Sequence, residues 1–256
     1  MRIIDFHCHP AYDFHFPTHG VSIDAERFRE DLLANGITKC CGSVIERAMN
    51  HCPVEDYRQI LPQLNDRAIN YQQIFGDFYT AGIHVHPAFV DLSCREIERA
   101  HEAGVRLIGE LVPYMMGWSE CSTPAFLEIM DCARAYDMTV NIHPTSIKDM
   151  YELSCALPDL KLVWAHLSAY GGLEDHIEMM RRNKNLCFDI SAHGTDQVGT
   201  LRRTIDQVGC ERLLFGTDYP GIGPASDLAA IMLEPLTDSE REAILWHNAA
   251  RLLGIE

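Results

Sequence analysis

The sequence predicts an α/β fold, a single (β/α)8 TIM barrel over residues 1–256. Three observations predict it. The chain has 256 residues, about the length one such barrel needs. Short β-branched runs alternate with amphipathic helical patterns from end to end, and strict alternation of that kind implies a parallel sheet. Metal-binding residue types stand at the ends of the predicted strands, where a barrel builds its site.

The elements follow in order. Strand one falls at residues 2–6. Asp24 caps the first helix, Phe28 and Leu32 lie one turn apart on it, and Asn35-Gly36 closes it. Strand two covers residues 37–45. The second helix covers 53–64, with Tyr57, Ile60, Leu61 and Leu64 on one stripe. Strand three falls at 80–85, and its helix runs from 93 to 103 and stops at Gly104. Strand four covers 105–111, and Thr123-Pro124 opens the next helix. Strands five, six and seven fall at 139–142, 160–165 and 186–190. The helix after strand seven shows Val198, Leu201, Ile205 and Val208 on one face. Strand eight covers 212–216, and Thr237-Asp238-Ser239-Glu240 has the form of a capping box before a last helix. No linker, low-complexity stretch or shift in composition interrupts the chain, so one domain is expected.

Composition narrows the function classes. The formal net charge is −16, which argues against nucleic acid, whose phosphates reward clustered Lys and Arg. Residues 2–6 are apolar but too short for the core of a signal peptide. No stretch reaches the ~18 apolar residues of a membrane span. The ten cysteines are irregularly spaced, with an adjacent pair at Cys40-Cys41 and no C-x-x-C. They are expected to be mostly reduced and buried, in a cytoplasmic protein. Assembly into a homo-oligomer is left open.

The chemistry gathers at strand ends. His7 and His9 end strand one, Glu110 lies near the end of strand four, and His143, His166 and Asp218 end strands five, six and eight. Imidazoles and carboxylates from several strands, converging on one mouth, suit a divalent metal such as zinc. Residues i and i+2 of a strand point to one face, so His7 and His9 can share an ion while Cys8 turns into the wall. The motif is short, however, and the chain carries a second copy, His84-Val85-His86. Spacing alone does not separate the two pairs. For the second pair a wall position for His84 and a strand-end position outside any metal shell for His86 are expected. His15, His19, His51, His101 and His176 are expected on the surface. His193 sits at the rim with access to a substrate, and His247 is expected to be structural.

Read with their neighbours, these strand ends resemble the amidohydrolase superfamily, and within it the amidohydrolase-related (type 2) group. Ile3-Ile4-Asp5-Phe6-His7-Cys8-His9-Pro10 is similar to its first-strand motif, and Val85-His86-Pro87 to its third-strand ending. Leu162-Val163-Trp164-Ala165-His166-Leu167 resembles the sixth-strand motif. Leu213-Leu214-Phe215-Gly216-Thr217-Asp218-Tyr219-Pro220 resembles the eighth, and Asn248–Gly254 resembles the C-terminal helix. The resemblance runs the length of the chain in the right order. It implies that His7, His9, His143 and Asp218 ligate metal and that Asp218 takes a proton from a metal-bound water. His166 would bind a second metal or orient that water and polarise the substrate. Strand four departs from the group: many members carry a Lys-containing motif there, whereas this chain reads Leu107-Ile108-Gly109-Glu110. The glutamate is similar to that of the TatD-like branch, where it bridges two metals. Without that role, Glu110 would pair with Arg106 or Arg47.

The leading functional expectation is a metal-dependent hydrolase that cleaves an amide, ester, lactone or phosphoester bond of a small molecule, using one or two ions, zinc being the first choice. An alternative is non-oxidative decarboxylation of an aromatic or unsaturated acid, which needs a cationic clamp for the substrate carboxylate; Arg47, after strand two, is the candidate. A third is a non-catalytic, metal-containing binding protein. The loops 113–121, with Tyr114, Met115, Met116 and Trp118, and 12–19, rich in aromatics and His, would lie over the mouth as pocket wall, lid or plain loop packing.

Overall fold

Eight parallel strands pair in chain order: β1 (Ile4–Asp5), β2 (Lys39–Ser43), β3 (Tyr79–Ile83), β4 (Leu107–Leu111), β5 (Thr139–Ile142), β6 (Lys161–Trp164), β7 (Leu186–Asp189) and β8 (Leu213–Leu214). This computed structural model describes residues 1–10, 23–46, 49, 52–169 and 172–255. Arg47, His15, His19, His51 and the loop 12–19 therefore lie outside the described residues. Hydrogen bonds past the formal strand ends close the barrel. Phe6 N donates to Phe215 O at 2.8 Å, and His9 N to Tyr219 O at 2.8 Å. A parallel bridge joins Cys8 to Tyr219. The buried carboxylate of Asp5 fastens the same seam, accepting from Thr217 N at 3.1 Å and Thr217 Oγ1 at 2.6 Å.

Helices connect the strands: α1 (Ala25–Ala34), α2 (Tyr57–Phe75), α3 (Val90–Glu102), α4 (Pro124–Ala135), α5 (Ile147–Ala156), α6 (Leu173–Arg182), α7 (Thr200–Val208) and α8 (Pro224–Leu233). The predicted caps form. Asp24 accepts from Arg27 N, Thr123 from Phe126 N, and Thr237 and Glu240 complete the capping box of α9 (Asp238–Glu242). Helix α2 runs well past the predicted stop at residue 64. Asn65 there is buried and spans two elements, donating to His84 O at 3.1 Å and accepting from His84 N at 2.7 Å. A polar residue that finds tertiary partners does not break a helix.

The base of the barrel is filled from the chain's own end. After α9 come a π-turn (Ala243–His247) and α10 (Asn248–Leu253). Trp246, Ala249, Leu252 and Leu253 form one apolar cluster with Leu107, Val163, Cys187 and Leu214 of four strands. Thr139 Oγ1, at the start of β5, donates to Leu252 O at 3.0 Å. The C-terminal strand ends are left as the open mouth.

The cysteines are mostly free, as expected, with one bonded pair, and one histidine expectation is corrected. Cys94 of α3 and Cys132 of α4 are bonded, with Cα atoms 5.8 Å apart, whereas the other eight cysteines are free. His176, expected on the surface, is buried and stacks on Phe188 at 4.5 Å; burial holds its pKa down at about 4. His101 is half-buried and His247 is exposed. Among the described residues no helix is long and apolar enough to cross a membrane.

Candidate metal centre

The mouth collects His7, His9, Glu110, His143, His166 and Asp218, all the residues predicted for it. They form two triads able to hold an ion, His7–His9–Asp218 and Glu110–His143–His166. His7 Nε2 and His9 Nε2 are 3.1 Å apart, and Asp218 Oδ1 is 3.7 Å and 3.3 Å from them. In the second triad His143 Nδ1 is 3.0 Å and His166 Nε2 3.4 Å from Glu110 Oε1, with 3.2 Å between the two nitrogens. The other carboxylate oxygen, Glu110 Oε2, turns to the first triad, 3.2 Å from His7 and 3.4 Å from His9. One carboxylate thus faces both groups.

Glu110 reaches the interior through an irregularity of its strand. Strict alternation would place it on the face of Ile108, which packs outward with Leu111. The register of β4 on β5 shifts between Ile108 and Leu111. Such a bulge re-aims one side chain. Gly109 makes it feasible: its φ is +94°, and a Cβ there would stand 2.0 Å from Asn141 O. His166 and Asp218 also take left-handed backbone, at φ 58° and 59°. Each such position costs on the order of 1 kcal/mol and is typical of functional sites.

The donor set fits a divalent cation. With bonds of ~2.1 Å, neighbouring ligand atoms around one ion sit roughly 3.0–3.4 Å apart, close to the separations seen here. His9 Nδ1 donates to Ser43 O at 2.9 Å, which leaves its Nε2 lone pair for the cluster. Electrostatics agree. Burial alone would raise the pKa of Glu110, but the charge on His7 and hydrogen bonds from His143 and His166 hold it well below the usual carboxylate range. Burial would lower His9, yet hydrogen bonds to Asp218 and Glu110 lift it to about 9. Without an ion, protons on imidazole thus balance a cluster of buried carboxylates, which is the charge balance a cation supplies when bound.

The second H-x-H pair stays out of the cluster. His84 Nε2 donates to Val44 O at 2.8 Å and His86 Nε2 to Met116 O at 3.0 Å. His86 Nδ1 accepts from Ala88 N at 3.1 Å and so caps the turn after β3. Cys8 lies in the wall, its thiol donating to Cys41 O. Arg106 binds carbonyls at the base of β4 and leaves Glu110 to the imidazoles. In the loop after β4, Met116 is buried and Trp118 packs on Phe126 at 5.0 Å, whereas Tyr114 is 62% exposed and edges onto His143 at 5.2 Å. His193 sits at the rim, 6.4 Å from His166 between ring centres, and pairs with Asp196 at 2.9 Å.

Sequence reasoning missed Asp189 and Ser191. Both are fully buried, and Asp189 Oδ2 lies 2.9 Å from His7 Nδ1. The signal was present: two polar residues at i, i+2 where the apolar run of β7 ends, on the face the alternation assigns to the interior.

A model of the amidohydrolase family (Amidohydro_2) matches residues 4–255. No curated protein sequence matches. Among solved structures, an amidohydrolase candidate from Staphylococcus aureus is 17% identical, with a TM-score of 0.81 and 100% of both chains covered. The 5-carboxyvanillate decarboxylase LigW from Sphingomonas paucimobilis is 16% identical, with a TM-score of 0.74 and coverage of 100% and 99%. A 5-carboxyvanillate decarboxylase from Novosphingobium aromaticivorans, solved with manganese and 4-hydroxy-3-methoxy-5-nitrobenzoic acid, is 13% identical, with a TM-score of 0.77 and coverage of 99% and 96%. At these identities the likeness is one of fold. It nonetheless overturns hydrolysis as the leading expectation, because the neighbours of named activity are decarboxylases of aromatic acids.

Proposed function

Since this chain belongs to the amidohydrolase family, we propose that it is a metal-dependent, non-oxidative decarboxylase of a small aromatic acid, with residues 1–256 acting as one unit in the cytoplasm. His7, His9 and Asp218 would hold one divalent ion, and Glu110, His143 and His166 offer the donors for a second. Manganese, bound by a solved relative, stands beside zinc as the candidate. The ion's contribution is to polarise oxygen atoms of the acid.

The chain's own residues supply the rest. Loss of CO2 leaves an electron pair on the ring carbon, and that carbon takes one proton. Asp218 is the carboxylate of the first triad that reaches the opening, with its side chain 23% exposed. It holds and delivers that proton. His193, braced by Asp196, offers a rim donor to the substrate carboxylate. The observation that carries the aromatic assignment is Tyr114, exposed above the cluster with its edge on His143; an aromatic face there favours an aromatic ring.

The test is a panel of hydroxylated benzoates labelled with ¹³C in the carboxyl group, incubated with metal-loaded protein in D2O. Labelled CO2 and one deuterium on the vacated carbon are expected. Tight metal binding with no CO2 from any acid of the panel would sink the proposal.

A further inference from the structure

Three ligand-type side chains converge a second time below the metal triads: His7, His166 and Asp189. Their centre is taken by a hydroxyl. Ser191 Oγ lies 2.5 Å from Asp189 Oδ1, 2.9 Å from His166 Nδ1 and 3.1 Å from His7 Nδ1. A serine hydroxyl has one proton to give and two lone pairs to receive with. Asp189, ionised and accepting backbone N–H groups from His166 and Ser191, can only accept. The Ser191 proton therefore goes to Asp189, and both lone pairs are left for the two imidazoles. Each of those rings must then carry a hydrogen on Nδ1, so that in the neutral form a bound ion requires, both Nε2 lone pairs face the triads above.

We infer that Ser191, held by Asp189, is the positioning residue that sets the tautomers of His7 and His166 together, one imidazole from each triad, so that the two ion positions share one orienting group. The inference rests on the metal reading of the cluster, not on the reaction. The two rings depend on Ser191 unequally. His7 Nδ1 has a second acceptor in Asp189 Oδ2 at 2.9 Å. Among the described residues, His166 Nδ1 has only the Ser191 carbonyl at 3.3 Å to fall back on.

The experiment reads zinc binding by chelator competition, starting from the metal-loaded protein, together with ¹⁵N-histidine spectra of the zinc-loaded, diamagnetic form. In wild type the spectra should show hydrogen on Nδ1 of both His7 and His166. Ser191→Ala should weaken zinc at the Glu110–His143–His166 position by 10–100-fold, weaken the His7 position less, and mix the His166 tautomers. Ser191→Thr, which keeps the hydroxyl, should restore both readings. Asp189→Asn turns an acceptor toward His7 into a donor and should cost the His7 position more than Ser191→Ala does. Hydrogen on Nε2 of either ring in wild type overturns the inference without needing any variant. Equal zinc affinity and unchanged spectra in Ser191→Ala overturn it too, and leave the metal site standing. Wild type that binds no zinc or manganese overturns the metal reading, and this inference with it.

Discussion

Two H-x-H pairs end strands one and three, and only one of them belongs to the candidate metal centre. Their spacing, burial and strand position are alike. What differs is where the ring nitrogens go. His9 gives its Nδ1 hydrogen to Ser43 O and His7 turns Nδ1 to Asp189, so both Nε2 atoms are left facing each other and two carboxylates. His84 and His86 spend their Nε2 atoms on backbone carbonyls. The protonation consequences run opposite ways. Burial holds His84 down at about 4, while Asp218 and Glu110 lift His9 to about 9 against the same burial. The motif alone carries little information; the atoms around the rings decide.

The sharpest way to break the comparison is to remove one ring from each pair. His7→Ala should abolish stoichiometric metal and reduce CO2 release at least 10³-fold, the loss expected when a ligand set is broken. Chelation of wild type should do the same, and added manganese or zinc should restore the rate. Metal-independent turnover would refute the assignment. Asp218→Asn comes next: the fold should persist, with an unchanged far-ultraviolet spectrum, while turnover falls 10²–10⁴-fold, the range for a lost proton donor.

A pH experiment probes the other pair. A histidine kept neutral by burial destabilises the fold once the unfolded chain binds a proton that the folded one refuses. Stability tied to His84 is therefore present above pH ~6.5 and lost as pH falls toward about 4. Buried Asp5 and Asp227, lifted to about 7, gain stability over the same range, so the His84 contribution is read by difference: wild-type urea stability minus that of His84→Gln should be on the order of 2 kcal/mol smaller at pH 5 than at pH 7. The smallest effect belongs to His86→Asn, where an amide keeps the cap on Ala88 N and gives up the bond to Met116 O. It should cost about 1 kcal/mol and leave metal content unchanged.

Much of this was legible in the residues. Strands five and seven stand almost where their apolar runs put them, and the Asp24, Thr123 and Thr237 caps were written in the sequence. Helices α5, α6 and α8 were not read, although Ser146 with Asp149 is a cap signal for α5. The true length of α2 could not be seen, because Asn65 looks like a stop until His84 and Glu96 are beside it. In the site, all six ligand candidates were named, but the direction of Glu110 was hidden: the register shift in β4 breaks the period-two rule that sequence reading relies on. The reaction was misread because ligands report the metal and leave the substrate open.

The seam between β1 and β8 joins the first and last strands of the barrel, and this orders events during synthesis. The Glu110–His143–His166 triad is complete in sequence once His166 has left the ribosome. The His7–His9–Asp218 triad waits for Asp218, and the Phe215–Ile244 hydrogen bond waits for the π-turn that carries Ile244. At roughly 5–20 residues per second, the nascent chain therefore passes through an interval in which its first strand has no partner on one side and its two foremost imidazoles have no carboxylate from strand eight. Capture of an ion by the complete centre is in this way a late event, gated by the emergence of strand eight and the segment that closes it.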